Sequence, residues 1–278
     1  MKPDDEEAAK RLSALLDLPD RQINLSAAAL LVAQSWNPGL DARYPMQELA
    51  ALAAGFRARI PDVLSADLVA DSLTRYLAEE CGFHGNTDDY YDPANSFLHE
   101  VLRRRVGLPI TLSVVYMEVG RRVGLDVQGI GFPTHFVVAV TIGHETHYVD
   151  PFQKGRRLTR SDLAEQLRQT YGRAVPLRPE WLKPLSKREI IIRMVRNLKH
   201  AYARRDDPSS ALTATTLLLA LEPDNPEELR DHARILFRLG RWDAAYEAVA
   251  GYLGRLPERS APSDGTLAMA EKLWGSRN

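Results

Sequence analysis

His135 and Asp150 are the residues whose types and spacing could carry chemistry. His135 follows Phe132-Pro133-Thr134 at the start of a β-type run, and Asp150 lies in Tyr148-Val149-Asp150-Pro151. A hairpin turning near Gly143 would place Asp150 opposite His135 or within two residues of it. A histidine beside an acid on adjacent strands supplies the base and its orienter, two parts of a nucleophilic triad. The third part would be a nucleophile at a helix N-terminus, where the helix dipole lowers its pKa. The candidate terminus, residues 107–113, reads Gly-Leu-Pro-Ile-Thr-Leu-Ser, and Thr111 and Ser113 are its hydroxyl candidates. Each also has a plain structural role. Ser113 can pack or bond back to a carbonyl, Thr111 can cap the helix, and His135 with Asp150 can tie two strands together. No Gly-x-Ser-x-Gly motif accompanies them.

The elements that must position these residues follow from periodicity. Apolar residues at helical spacing predict helices over the first hundred residues: around Leu12–Leu18, Ser26–Gln34 with Asn24 or Ser26 as cap, Met46–Ile60 stopped by Pro61, and Ala66–Glu80 ended by Gly82. Residues 82–97 are rich in Gly, Asn, Asp and Pro and predict a long ordered loop anchored by Phe83, Tyr90 and Tyr91. Tyr91 and Asn95 are candidates to line a cleft, although Asp92 and Asn95 could equally serve as loop-pinning hydrogen-bond partners. A helix over Phe97–Arg105 and another over Thr111–Val123 follow. The period then falls to two over Val127–Ile130, His135–Ile142 and His147–Phe152 before a helix returns over Thr159–Tyr171. Helices followed by a small antiparallel sheet predict an α+β fold.

Pro176, Pro179 and Pro184 mark a stiff connector, and Ser186 with Glu189 predicts a capping box beyond it. Ala211, Ala214, Leu219 and Pro223 recur at Ala245, Ala248, Leu253 and Pro257, each 34 residues on, which is the tetratricopeptide period. Asn225-Pro226 with Glu228 should start the second unit. The expected division is residues 1–174 as core, 175–185 as linker and 186–278 as an all-helical repeat domain. Strand structure after Ser186 would contradict it.

Composition narrows the function classes. Of 278 residues, 45% are hydrophobic and 26% charged, which excludes a disordered chain. Lys+Arg 36 against Asp+Glu 37 leaves no global attraction to nucleic acid or acidic membranes, so neither is an expected partner. The Arg103–Arg105 and Arg121–Arg122 clusters read as solvated helix faces. Cys81 is the single cysteine, which rules out an intrachain disulfide and reads as a packing residue. His144 and His147 point to opposite faces of a strand and read as exposed hairpin residues, so neither metal nor cofactor is expected. The acidic N-terminal stretch lacks signal-peptide character, and the apolar runs are too short to span a membrane; the expected location is cytoplasmic.

Five segments together resemble the bacterial SirB-type family: Asp89-Tyr90-Tyr91-Asp92-Pro93, Asn95-Ser96-Phe97-Leu98, Arg105–Ser113, Gly131–Phe136 and Val149-Asp150-Pro151-Phe152. The resemblance covers about residues 26–257. It implies a transglutaminase-like core, a central helix on a small antiparallel sheet as in papain-like folds, followed by tetratricopeptide repeats. In catalytic members of that superfamily a Gly-x-Cys motif opens the central helix, with His and Asp on successive strands. Matching Gly107 puts Pro109 at the cysteine's position, while His135 and Asp150 match the other two. The resemblance therefore implies a non-catalytic protein that binds a protein or peptide through its cleft and repeats. The alternative is a hydrolase of peptide or amide bonds that uses Ser113 or a water activated by His135.

Overall fold

The structure is a computed structural model that describes residues 3–60, 65–133, 135–255 and 265. The expected stop at Pro61, Thr134 of the His135 motif, and Pro257 of the repeat lie outside the described residues.

Helices α1 (Pro3–Leu16), α2 (Leu25–Gln34), α3 (Arg43–Arg57), α4 (Ala66–Thr74) and α5 (Leu98–Arg104) precede the central helix α6 (Pro109–Arg122), and α2, α3 and α5 pack against it. Local caps set their starts. Asn24 accepts from the amide of Ala27 to open α2, and Ser65 accepts from that of Leu68 to open α4. A π-helical turn, Arg75–Glu80, extends α4, and Gly82 ends the run at φ +78°. Pro109 occupies the first turn of α6, where its missing N–H costs nothing. From Pro109 to Gly120 every residue of α6 is buried, which identifies it as the helix around which the core forms.

Four antiparallel strands, β3 (Asp126–Ile130), β4 (Val137–Ile142), β5 (Glu145–Asp150) and β6 (Arg156–Leu158), pack in sequence order. Val138 and Val140 of β4 join the cluster around α6, while their neighbours Val137 and Ala139 join a second cluster on the other face. Helix α7 (Arg160–Tyr171) covers that second face with Leu163 and Leu167, together with Val175, Leu177, Trp181 and Leu182. Gly120 lets α6 approach the sheet, since a Cβ there would lie 2.4 Å from Val127. The α+β architecture, a central helix on a small antiparallel sheet, is thus the observed fold.

The Pro-rich segment is fastened to the sheet rather than spanning free space. The amide of Leu185 donates to the carbonyl of Gly129 at 2.9 Å, and Pro184 bridges to Ile130. Ser186 and Glu189 form the expected capping box of α8 (Lys187–Arg204). Helices α9 (Pro208–Leu221), α10 (Pro226–Arg238) and α11 (Trp242–Leu253) follow, and no strand occurs after Ser186 among the described residues. Asn225 caps α10, but the Glu228 side chain turns to Lys199 and Arg196 instead of back to the cap. Helices α8 and α9 share one core with α2 and α6 through Ile190, Val195, Leu198 and Leu217. Leu212, Ala233, Leu236, Ala245 and Val249 form a separate cluster under the second helix pair.

Candidate functional site

Two short parallel strands build the entrance to α6. Strand β1 (His84–Gly85) pairs with β2 (Val106–Gly107), and the amide of Asn86 continues the ladder by donating to the carbonyl of Gly107 at 3.1 Å. The amide of Gly85 donates to the carbonyl of Phe152 at 3.0 Å, so this one segment ties the start of α6 to the chain just past Asp150. A Cβ on Gly85 would fall 2.4 Å from the Phe152 ring, so glycine is needed for that approach.

The β4–β5 register pairs Val138 with Val149, which puts His135 two residues before the position opposite Asp150. The two side chains meet: His135 Nε2 lies 2.7 Å from Asp150 Oδ2. Asp150 is fully buried, and its Oδ1 accepts from the amides of Phe152 at 3.0 Å and Gln153 at 3.3 Å. Each carboxylate oxygen is thereby satisfied, which is what burial of an anion requires. His135 is 17% exposed and meets the Phe152 ring edge-on at 6.3 Å. With Nε2 held by Asp150, Nδ1 is the nitrogen left to face a ligand or water, and no hydrogen bond to it occurs among the described residues.

The hydroxyl candidates are placed differently. Ser113 and Thr111 are fully buried, and neither hydroxyl has a hydrogen-bond partner among the described residues, His135 included. Thr111 does not cap α6, whose N-cap is Leu108 without a side-chain bond. Pro109 is buried at the first helical turn. Asn95 is also fully buried and is a loop-pinning residue: its Nδ2 donates to the carbonyls of Asp89 and Tyr90, and its Oδ1 accepts from Asn86 Nδ2. Its carbonyl accepts from the amide of Leu108, one residue before α6 begins.

Phe83 is buried as expected of a loop anchor, but Tyr90 and Tyr91 are each 41% exposed. They are surface rings. Tyr90 contacts Tyr91 at 5.2 Å and Phe152 at 5.9 Å between centroids, so an aromatic row runs from the surface to His135. The arginine clusters are ion-paired, Arg104 with Asp92, Arg105 with Glu48, and Arg121 and Arg122 with the buried Glu118, while Arg103 and Arg121 are exposed as a solvated face requires. His144 is exposed, whereas His147 is half-buried and its Nδ1 is held by Arg157. Among the described residues no group of three or more His, Cys, Asp or Glu could hold a metal, and no helix is long and apolar enough to cross a membrane.

Two contributors escaped the sequence reading. Tyr116, two turns into α6, is fully buried with an unpartnered hydroxyl; burial, then the Asp150 charge, pushes its pKa far up. Arg193 of α8 donates from Nη2 to the carbonyl of His135 at 2.9 Å. Nothing near Asp150 in the sequence points to either.

Residues 45–196 match a family model described as transglutaminase-like superfamily. The chain belongs to that superfamily. Residues 198–273 match a tetratricopeptide-repeat model, the class of helical array that mediates protein interaction. The UPF0162 protein of Xylella fastidiosa (strain 9a5c) is 34% identical over 248 residues, covering 88% of both chains. That of Vibrio cholerae is 29% identical over 229 residues, covering 81% of this chain and 84% of its own. F-box only protein 21 of Homo sapiens is 29% identical over 238 residues, 82% of this chain but only 36% of that longer protein. No solved structure matches the chain significantly. A transglutaminase-like core joined to such repeats makes a protein-interaction module.

Proposed function

We propose that this module is non-catalytic and binds a protein or peptide through the cleft at His135 and through its helical repeats. The observation that carries this reading is the opening of α6. Pro109 stands in the first turn, the resemblance through Gly107 assigns it to the cysteine's position, and proline has neither a nucleophile nor an N–H. The buried hydroxyls of Thr111 and Ser113 do not reach His135, so neither replaces it. The grouping with SirB-type proteins rests on the five motif segments, and a cytoplasmic setting without nucleic-acid or membrane partners belongs to the same reading.

One observation favours a second reading. His135 keeps its orienting carboxylate and leaves Nδ1 without a described partner, the arrangement of a general base that could activate water on a peptide or amide bond. Incubation with a glutamine peptide and a primary-amine probe separates the two. The binding reading expects neither amine incorporation nor ammonia release. Turnover that disappears in His135→Ala would overturn it.

A further inference from the structure

The arginines of this protein are mostly partnered by acids. Arg104, Arg105, Arg122, Arg157, Arg188 and Arg196 each have a carboxylate within ion-pair distance. Arg193 differs. It is half-buried between α8 and the His135 segment and has no carboxylate partner among the described residues. Its Nη2 is bound to the His135 carbonyl, and its guanidinium lies 5.4 Å from the centre of the Phe136 ring. One of five N–H donors is thus assigned, beside the partly exposed His135. Burial pulls its pKa below the ordinary guanidinium value, with Tyr90 acting in the opposite sense.

Arg204 extends the row toward solvent as an exposed arginine. Eleven residues on, it returns to the same face of α8 about three turns and roughly 16 Å away. It lies 3.9 Å from the centre of the Tyr91 ring and also lacks a carboxylate partner among the described residues. Two acid-free arginines therefore border the exposed Tyr90–Tyr91 pair, with His135 at one end. Of the two, Arg193 is the one partly withdrawn from water. A cation so placed without an anion is an incomplete pair, and a guanidinium fork completes it best with a carboxylate.

We propose that Arg193 is the carboxylate-recognising group of the His135 cleft, and that the ligand is a peptide whose carboxylate meets Arg193 while its chain lies along Tyr90 and Tyr91. This rests on the binding reading above and adds the ligand's chemical class. The carboxylate could be a chain terminus or an acidic side chain.

Three probes test it: acetyl-Gly-Tyr-Ala with a free terminus, the same peptide as its C-terminal amide, and acetyl-Gly-Tyr-Glu amide. Each is titrated into the full chain while the ring resonances of His135 and Tyr90 are followed by NMR. At least one acid probe should bind tenfold or more tightly than the neutral amide, and which one does so distinguishes terminus from side chain. Arg193→Gln should abolish the preference, and Arg193→Lys should retain part of it. Equal affinity of acids and amide, or no saturable shift with any probe, overturns the proposal. The acid–amide comparison on the wild-type chain stands even if the variants fold poorly. Amine incorporation in the earlier assay would overturn the non-catalytic reading while leaving this preference to be judged by its own titration.

Discussion

His135 Nε2 and Asp150 Oδ2 stand 2.7 Å apart across a carboxylate that solvent does not reach. The same carboxylate is held from the other side by two backbone amides, so the histidine completes its hydrogen bonding. His135→Ala leaves one buried oxygen without its partner and should cost about 1–3 kcal/mol. Asp150→Asn should cost a similar amount, because the amide cannot accept at both oxygens. Urea unfolding of both variants checks this; midpoints equal to wild type would deny the pair a structural role.

Gly85→Ala should act at a distance from its own strand. The added carbon would meet the Phe152 ring at 2.4 Å, and that ring is edge-on to His135. Displacing it should cost about 1–3 kcal/mol, as overpacking does. The His135 ring resonances should shift in the same variant, and unchanged shifts would uncouple Phe152 from the site.

Glu118 joins two helices of the core, α2 and α6. It is 1% exposed and accepts from Ser26 of α2 and from Arg121 and Arg122 of its own helix. Burial alone would raise its pKa, but the bonds from Arg121, Arg122 and Ser26 outweigh it and hold the carboxyl below its ordinary value of 4.5. A folded pKa below the unfolded one gives stability that is present above about pH 4.5 and lost as pH falls through the folded value. Glu118→Ala should cost about 3–5 kcal/mol near neutral pH, since Arg122 loses its buried partner. Its loss of stability on acidification should be smaller than that of wild type, as read from melts over a pH series.

His232 predicts a pH dependence at milder acidity. Burial, aided by Arg241, lowers its pKa from 6.5 to about 4, and its Nδ1 lies 2.8 Å from Thr215 Oγ1. Between those values the unfolded chain takes up a proton that the folded chain refuses, so stability rises with pH across that window. The difference amounts to about 3 kcal/mol lost on going from pH 7 to pH 4. His232→Gln should flatten that part of the melting profile. A wild-type profile that is level from pH 6.5 to 5 would contradict the assignment.

Much of the architecture is written in local sequence. Asn24, Ser186 with Glu189, and Asn225 announce helix starts because a cap needs only residues within one turn. The 34-residue recurrence of Ala211 at Ala245 is legible because each repeat satisfies its own helix pair, and both alanines are buried. The change to period two locates the sheet, and the turn near Gly143 brings His135 to within two residues of Asp150 before any coordinate is known.

Tertiary structure decided what the rest of the chain does to that pair. Tyr90 and Tyr91 carry no sequence mark that separates a loop anchor from a surface ring; the loop's hydrogen bonds to Asn95 and Gly107 turn them outward. The arginine run at 103–105 looks like solvent-facing charge, yet Arg104 and Arg105 find Asp92 and Glu48, which other segments bring to them. Glu118, by contrast, is a same-helix partner of Arg121 and Arg122, and only its burial is decided by packing. Arg193 reaches the His135 carbonyl from 58 residues away, and Tyr116 comes under Asp150's influence only through the seating of α6 on the sheet. Caps and periodicity arise from neighbours along the chain, so the sequence alone determines them. Burial, ion pairing and access to His135 arise from groups that only the packed core brings together, because their energies depend on distance and desolvation.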